Sequence, residues 1–191
     1  MKRILFVCTG NTCRSPMAEA ILRALSRERS LELDIRSAGV STIDGLPVSN
    51  HAQKVLSRRD IAHSGTSKAL EGGSVAWADL ILTMTGSHKR KLLEHYPSAV
   101  DKTHTLLEFV NTDPKVLANI AELEGLYSSW HIKQALGQQL SEEERTRLLE
   151  LERQMPSFDV DDPFGGSLEV YEQSAAQLEA ALRRLLDRLQ G

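Results

Sequence analysis

The stretch that decides the fold runs from a short apolar segment into a loop that holds both cysteines of the chain. The apolar segment is Ile4-Leu5-Phe6-Val7, and the loop after it reads Cys8-Thr9-Gly10-Asn11-Thr12-Cys13-Arg14-Ser15-Pro16. Four consecutive apolar residues are typical of a central parallel strand that is covered on both faces. Ser15 can cap a helix and Pro16 suits its first position, so the sequence predicts a strand, a turn and a helix in that order.

The loop has the composition of an anion-binding site with a nucleophile inside it. Cys8 lies at the end of the predicted strand, and Arg14 follows after five further residues. Backbone N–H groups of such a loop and of the helix N-terminus point at a bound anion, and their field favours a thiolate at neutral pH. The Arg14 guanidinium can hold two phosphoryl oxygens. The alternative is that Cys8 is a small core residue, as single cysteines after buried strands often are.

Strands and helices alternate along the rest of the chain, which predicts an α/β fold with a parallel sheet. The expected strands are at 33–38, 79–84 and 105–107, and the expected helices are at 49–57 and 87–96. A long final helix is predicted from apolar residues that recur at spacings of three and four, namely Tyr171, Ala175, Leu178, Leu182, Leu185 and Leu189. The length suits one three-layer domain over residues 1–191.

Residues 111–157 differ in composition from the rest of the chain, because they are rich in helix formers and poor in β-branched residues. Asp113-Pro114 can begin one helix, Ser141 and Glu144 form a capping box that begins a second, and Gly137 lies between them. We therefore expect a helical insertion. It is either a solvated hairpin on the core or a surface that docks a partner or mediates dimerisation.

Composition limits the cellular location, the partners and the cofactors that we expect for the protein. The net charge is −3 and no long apolar stretch occurs, so neither a nucleic-acid-binding face nor a transmembrane helix is indicated. Most of the six histidines are expected at the surface, since they show no metal-binding spacing, and no glycine-rich dinucleotide motif follows a strand. We expect a cytoplasmic protein with no metal, no cofactor, no nucleic-acid partner and no membrane contact.

A thiolate that displaces a group from phosphorus needs an acid to protonate that group, and two Asp-Pro pairs are candidates. Asp113-Pro114 has the pattern of a helix cap. Asp162-Pro163-Phe164-Gly165-Gly166 precedes the final helix, and its glycines let the backbone curl over a site while the proline restricts it. We favour Asp162 as the acid.

Together these residues resemble the low-molecular-weight protein-tyrosine phosphatase family. The resemblance spans residues 1–110 and 158–191 and is carried by the loop at 8–16, the Ser37-Ala38-Gly39 turn, the strand at 79–84 and the segment Asp162-Pro163-Phe164. It implies a four-stranded parallel sheet with flanking helices. It also implies phosphorylated proteins as substrates. The insertion at 111–157 departs from compact members of the family.

The resemblance implies a role for each site residue. Cys8 forms a phosphocysteine, Arg14 holds the transition state, and Asp162 acts first as acid and then as the base that activates water. Ser15 hydrogen-bonds the thiolate, and Asn11 shapes the loop. The residues expected to bind substrate are Thr9, Gly10, Asn11, Thr12, Cys13, Ser15 and Phe164.

Thr12 stands where tyrosine-directed members usually have a bulky aliphatic residue. The loop and the Asp-Pro-Phe-Gly-Gly segment resemble the bacterial protein-arginine phosphatases, whose guanidine leaving group is strongly basic and needs protonation by Asp162. Thr12 offers a hydroxyl and less bulk beside phosphorus, and Phe164 can stack on a planar guanidinium. Phosphoarginine is therefore the expected substrate; the alternative is that Thr12 only fills the loop.

Three other functions remain open on the sequence. One is a phosphotyrosine phosphatase with an unusual Thr12, although no Tyr-Tyr pair follows Asp162-Pro163. An arsenate reductase is disfavoured because no cysteine follows Cys13. A non-catalytic phosphoprotein-binding module is disfavoured because the catalytic residues are all present. Redox sensitivity is also expected, through a reversible Cys8–Cys13 disulfide, unless Cys13 merely fills the loop.

Overall fold

A computed structural model describes residues 2–191. They divide into a larger unit, the chain up to Val110 together with Phe158–Gly191, and a smaller unit, Asn111–Ser157. The elements in chain order are β1 (Lys2–Cys8), α1 (Arg14–Glu28), β2 (Leu33–Gly39), α2 (Asn50–Ser57), α3 (Gly72–Trp77), β3 (Leu80–Thr83), α4 (Gly86–His95), a 3₁₀ helix (Pro97–Lys102), β4 (Thr103–Thr105), α5 (Leu106–Phe109), α6 (Pro114–Ala135), α7 (Glu142–Gln154) and α8 (Leu168–Gln190).

The larger unit contains the predicted four-stranded parallel sheet. Its strand order is β2-β1-β3-β4, and β1 pairs in parallel with strands on both sides. Alternate residues of β1 belong to two different apolar clusters: Ile4 and Phe6 lie in one with α1, α2 and α8, and Leu5 and Val7 lie in the other with α3 and α4. Helices therefore cover both faces of the sheet, which confirms the expected α/β fold with three layers.

The predicted final helix is α8, and the apolar stripe that predicted it is buried at Tyr171, Ala175, Leu178, Leu182 and Leu185. The predicted strand at 105–107 was placed too late. The strand is Thr103–Thr105, because the apolar residues after it turn into the short helix α5. The short helices α3 and α5 were not predicted, since four to six residues are too few to show a helical period.

The smaller unit is a pair of helices, as the sequence predicts. Asp113 caps α6, and its carboxylate accepts a hydrogen bond from the Lys115 N–H at 2.8 Å. Gly137 follows α6 with a φ of 69°, in the left-handed region that glycine adopts freely. Ser141 and Glu144 form the predicted capping box of α7. The role of this unit, and the expectation of one domain over the whole chain, stay predictions.

Among residues 2–191, no helix is long and apolar enough to cross a membrane. Over the same residues, no group of three or more histidine, cysteine, aspartate and glutamate side chains could hold a metal ion.

Candidate active site

The predicted catalytic loop connects the end of β1 to the start of α1 at the carboxyl edge of the sheet. Cys8 is the last residue of β1 and lies opposite Gly39 of β2. The loop approaches β2 so closely that a Cβ on Gly39 would lie 2.6 Å from Thr9 O and 3.1 Å from Asn11 N. The glycine of the Ser37-Ala38-Gly39 turn is therefore required by the path of the loop.

Asn11 holds the loop in shape from behind. Its φ of 53° is left-handed, which asparagine tolerates better than most residues. Its buried side chain donates to Ser15 Oγ at 2.8 Å and to Ser37 Oγ at 2.9 Å, and its Oδ1 accepts from the Lys68 N–H at 2.7 Å. These bonds tie the loop to α1, to β2 and, through Lys68, to the chain between α2 and α3.

The Cys8 sulfur is buried and surrounded by hydrogen-bond donors. Ser15 Oγ lies 2.8 Å from it, and the Asn11 N–H donates to it at 3.3 Å. Burial raises the pKa of the Cys8 thiol above its usual range, and the hydrogen bonds from Ser15 and Asn11 and the charge of Arg14 offset only part of this effect. The sequence-based expectation of an ionised thiol left this burial out, so the thiolate depends on these donors.

Ser15 does not cap α1 as predicted. The helix begins two residues earlier than predicted, at Arg14 rather than Pro16, with Cys13 at the N-cap position and no side-chain cap. The Ser15 hydroxyl instead contacts Cys8 Sγ, as the family resemblance implies, and accepts a hydrogen bond from the Asn11 side chain. A partner seven residues away across a loop leaves no local signal in the sequence.

The substitution Ser15→Ala is expected to move the ionisation of Cys8 to higher pH, because it removes a donor that stabilises the thiolate. At pH values below the midpoint, alkylation by iodoacetamide should slow roughly tenfold, the worth of one hydrogen bond to a charged group. The check is the rate of alkylation measured across a pH series. Ser26→Ala is the matched control, since Ser26 lies on the same helix and its hydroxyl donates to Arg23 O, away from Cys8. An unchanged midpoint in Ser15→Ala would contradict this role.

The buried guanidinium of Arg14 connects the catalytic loop to the segment before α8. Its Nη1 donates to Val160 O at 3.1 Å, and its Nη2 lies 3.2 Å from Asp162 Oδ2. The segment is anchored on its other side, because the Val160 N–H donates to Met84 O at 2.8 Å. The Phe164 N–H donates to Asp162 Oδ1 at 3.2 Å and orients the carboxylate.

These groups meet around a cavity of about 260 Å³ lined by Cys8, Thr9, Gly10, Thr12, Cys13, Arg14, Asp162 and Phe164. Phe164 stands at its rim with 78% of its surface exposed. Asn11 and Ser15, predicted to bind substrate, are buried behind the loop and do not line the cavity. A larger cavity of about 650 Å³ opens beside Glu19 and Ser37 and contains none of the predicted catalytic side chains.

Two residues of the site were missed by the sequence analysis. His88, one of the six histidines of which most were expected at the surface, is buried, and its Nε2 lies 2.7 Å from Thr9 Oγ1. Tyr171, predicted only as a core residue, places its hydroxyl 3.2 Å from Cys13 Sγ. No periodic pattern marks His88, because it lies on a helix with few other buried residues. Both cysteines are free, and the proposed disulfide stays a prediction.

Comparison with known proteins agrees with this geometry. Residues 3–129 match the family described as low molecular weight phosphotyrosine protein phosphatase. A protein-arginine-phosphatase of Geobacillus stearothermophilus is 34% identical over 98% of this chain and 96% of its own. The crystal structure of a YwlE mutant from Bacillus subtilis matches with a TM-score of 0.74 and 31% identity, covering 100% of both chains.

A further solved structure is described as a mutant of the YwlE arginine phosphatase with a phosphorylated active site serine. It matches with a TM-score of 0.73 and 31% identity, covering 98% of this chain and 95% of that one. The chain thus belongs to the low molecular weight phosphotyrosine protein phosphatase family and is a cysteine-dependent protein phosphatase, a hydrolase that acts on phosphorylated proteins.

Proposed function

We propose that the protein hydrolyses phosphoarginine in proteins through a phosphocysteine intermediate on Cys8. The observation that carries the proposal is Thr12, which lines the cavity together with Cys8, Arg14 and Asp162. A threonine leaves room beside the phosphorus for a P–N substrate and offers a hydroxyl to orient it. The arginine-phosphatase names of relatives that cover nearly the whole chain support the proposal.

In the first step the Cys8 thiolate attacks phosphorus, and the P–N bond to the arginine side chain breaks. Asp162 gives its proton to the departing guanidine nitrogen, which is too basic to leave without it. Arg14 holds the phosphoryl oxygens in a bidentate fork. Since Arg14 Nη2 lies 3.2 Å from the Asp162 carboxylate, a phosphoryl group bound to Arg14 replaces that contact. The Asp162 side chain is then released toward the leaving group.

In the second step the Asp162 carboxylate takes a proton from water, and the water oxygen attacks the phosphocysteine. The P–S bond breaks, inorganic phosphate leaves, and Cys8 returns as a thiolate. The Ser15 hydroxyl, 2.8 Å from the sulfur, stabilises the thiolate as nucleophile and as leaving group. A phosphorylated active site serine in a related arginine phosphatase supports the covalent step.

Specificity arises at the mouth of the cavity. Phe164, exposed at the rim, can stack on the planar guanidinium of the substrate. The carboxylate of Asp162 lies next to it, held by the Phe164 N–H. A flat cationic leaving group is therefore met by an aromatic face on one side and an acid on the other.

The experiment that tests this function is incubation with a phosphoarginine peptide, followed by mass spectrometry of the peptide and a phosphate assay. We expect inorganic phosphate and the peptide with an unphosphorylated arginine to form in equal amounts. The Cys8→Ala variant should release neither. A phosphoarginine peptide that the folded enzyme does not hydrolyse would overturn the proposal.

Phosphotyrosine is the second candidate substrate, favoured by the family to which the chain belongs. The ring of Phe164 can stack on a phenol as well as on a guanidinium. The two candidates share every chemical step at Cys8, Arg14 and Asp162. The two substrates differ in the size and shape of the leaving group that must fit into the cavity beside Thr12.

A further inference from the structure

One buried polar group beside the cavity is not used by the mechanism above. His88 lies in the first turn of α4, whose N-cap residue is Thr85. His88 is 6% exposed, and its Nε2 lies 2.7 Å from Thr9 Oγ1. Its other ring nitrogen, Nδ1, is buried and has no hydrogen-bond partner anywhere in residues 2–191.

The environment keeps this imidazole neutral at physiological pH. Burial and the nearby charges of Arg14 and Lys91 lower the pKa of His88 to about 4, against the opposing effect of Asp162 and Asp159. A neutral imidazole carries its single hydrogen on one of its two nitrogens. The site therefore has a choice between two tautomers.

Burial decides between them. With the hydrogen on Nδ1, a buried N–H would have no acceptor, and orphaned buried donors are rare in proteins. With the hydrogen on Nε2, the N–H donates to Thr9 Oγ1, and Nδ1 keeps only an unused lone pair. The second arrangement costs less, so Nε2 is the donor and the Thr9 oxygen is the acceptor.

We infer that His88 is a positioning residue that turns the Thr9 hydroxyl into a hydrogen-bond donor to the phosphoryl group in the cavity. Thr9 lines the cavity next to Cys8. Because its oxygen already accepts from His88, its own hydrogen is left to point at a bound phosphoryl oxygen. The inference rests on the proposed placement of the phosphoryl group over Cys8. It adds a donor to those that the loop N–H groups and Arg14 supply.

The tautomer can be observed directly in the resting protein. Long-range ¹H–¹⁵N correlation spectra of ¹⁵N-labelled protein at neutral pH distinguish a protonated from an unprotonated ring nitrogen, and the His88→Gln variant assigns the signals. We expect hydrogen on Nε2 and none on Nδ1. Hydrogen on Nδ1 would overturn the inference, whatever substrate the enzyme prefers.

A double-mutant cycle tests the link to catalysis, with p-nitrophenyl phosphate as substrate so that the preference for arginine or tyrosine plays no part. Thr9→Val and His88→Leu should each lower kcat/KM by about tenfold, the worth of one such hydrogen bond. The double variant should lose little more than either single variant, because both changes remove the same donor.

Two conservative variants separate positioning from packing. Thr9→Ser keeps the hydroxyl, and His88→Gln keeps a side-chain N–H, so each should recover most of the lost kcat/KM. The inference would be overturned if the double variant lost kcat/KM by the product of the two single losses. It would also be overturned if kcat/KM fell as far in His88→Gln as in His88→Leu. If His88→Leu does not fold, the spectrum of the unmodified protein and the comparison of Thr9→Val with Thr9→Ser still decide it.

Discussion

Replacing Cys8 by serine is expected to lower kcat by roughly 10⁴- to 10⁶-fold, the usual loss when a covalent nucleophile is removed. A serine hydroxyl ionises far less readily than a thiol, although it fits the same buried space beside Ser15 and the Asn11 N–H. The fold should survive, since serine is close to cysteine in size. The measurement is steady-state turnover of a phosphorylated peptide, with circular dichroism to verify folding.

Cys13→Ser is the matched control for this experiment. Cys13 lies on the same loop, is also buried, and contacts the Tyr171 hydroxyl rather than the Cys8 donors. Its loss of activity should be smaller than that of Cys8→Ser by at least about two orders of magnitude. Comparable losses in the two variants would mean that either change only disturbs the loop, and Cys8 would lose its role as nucleophile.

Replacing Asp162 by asparagine is expected to lower kcat by roughly 10²- to 10⁴-fold on phosphoarginine, the range for general acid–base catalysis. The loss should be smaller on p-nitrophenyl phosphate, because nitrophenolate is a weak base that leaves without a proton. Asparagine keeps the shape of the side chain, and its amide oxygen can still accept from the Phe164 N–H. The dependence of the loss on the leaving group is therefore the signature of the acid.

Asp161→Asn is the control for Asp162→Asn, since Asp161 is the exposed neighbouring residue and does not line the cavity. Its kcat on both substrates should stay within about twofold of that of the unmodified protein, because surface substitutions usually have small effects. Equal losses on the two substrates in Asp162→Asn would remove the acid role. They would leave Asp162 only as the partner of Arg14.

The parts of the fold that could be predicted are those with a strong local pattern. The apolar run in β1 and the apolar stripe of α8 are long enough to predict which of their residues are buried. The capping box at Ser141 involves residues three positions apart, so it too is legible in the sequence. The order strand, loop, helix around Cys8 then placed the site at the edge of the sheet.

The parts that could not be predicted depend on contacts between distant residues. The local pattern assigned the Ser15 hydroxyl to a helix cap, and only the family resemblance predicted its contact with Cys8, which lies across a loop. His88 is 79 residues from Thr9 in the chain, and only the packing of α4 beside the catalytic loop brings them together. The burial that opposes ionisation of Cys8 likewise becomes visible only in three dimensions.

The most direct test of the account is the ratio of kcat/KM on a phosphoarginine peptide to that on a phosphotyrosine peptide of the same sequence. We predict that phosphoarginine is preferred by the unmodified protein. We also predict that Thr12→Ile shifts the ratio toward phosphotyrosine by at least about tenfold, in line with the few kcal/mol that a pocket side chain controls. Thr12→Ser, which keeps the hydroxyl and adds no bulk, should retain the preference. A preference for phosphotyrosine in the unmodified protein would contradict the account and identify a tyrosine phosphatase in which Thr12 only fills the loop.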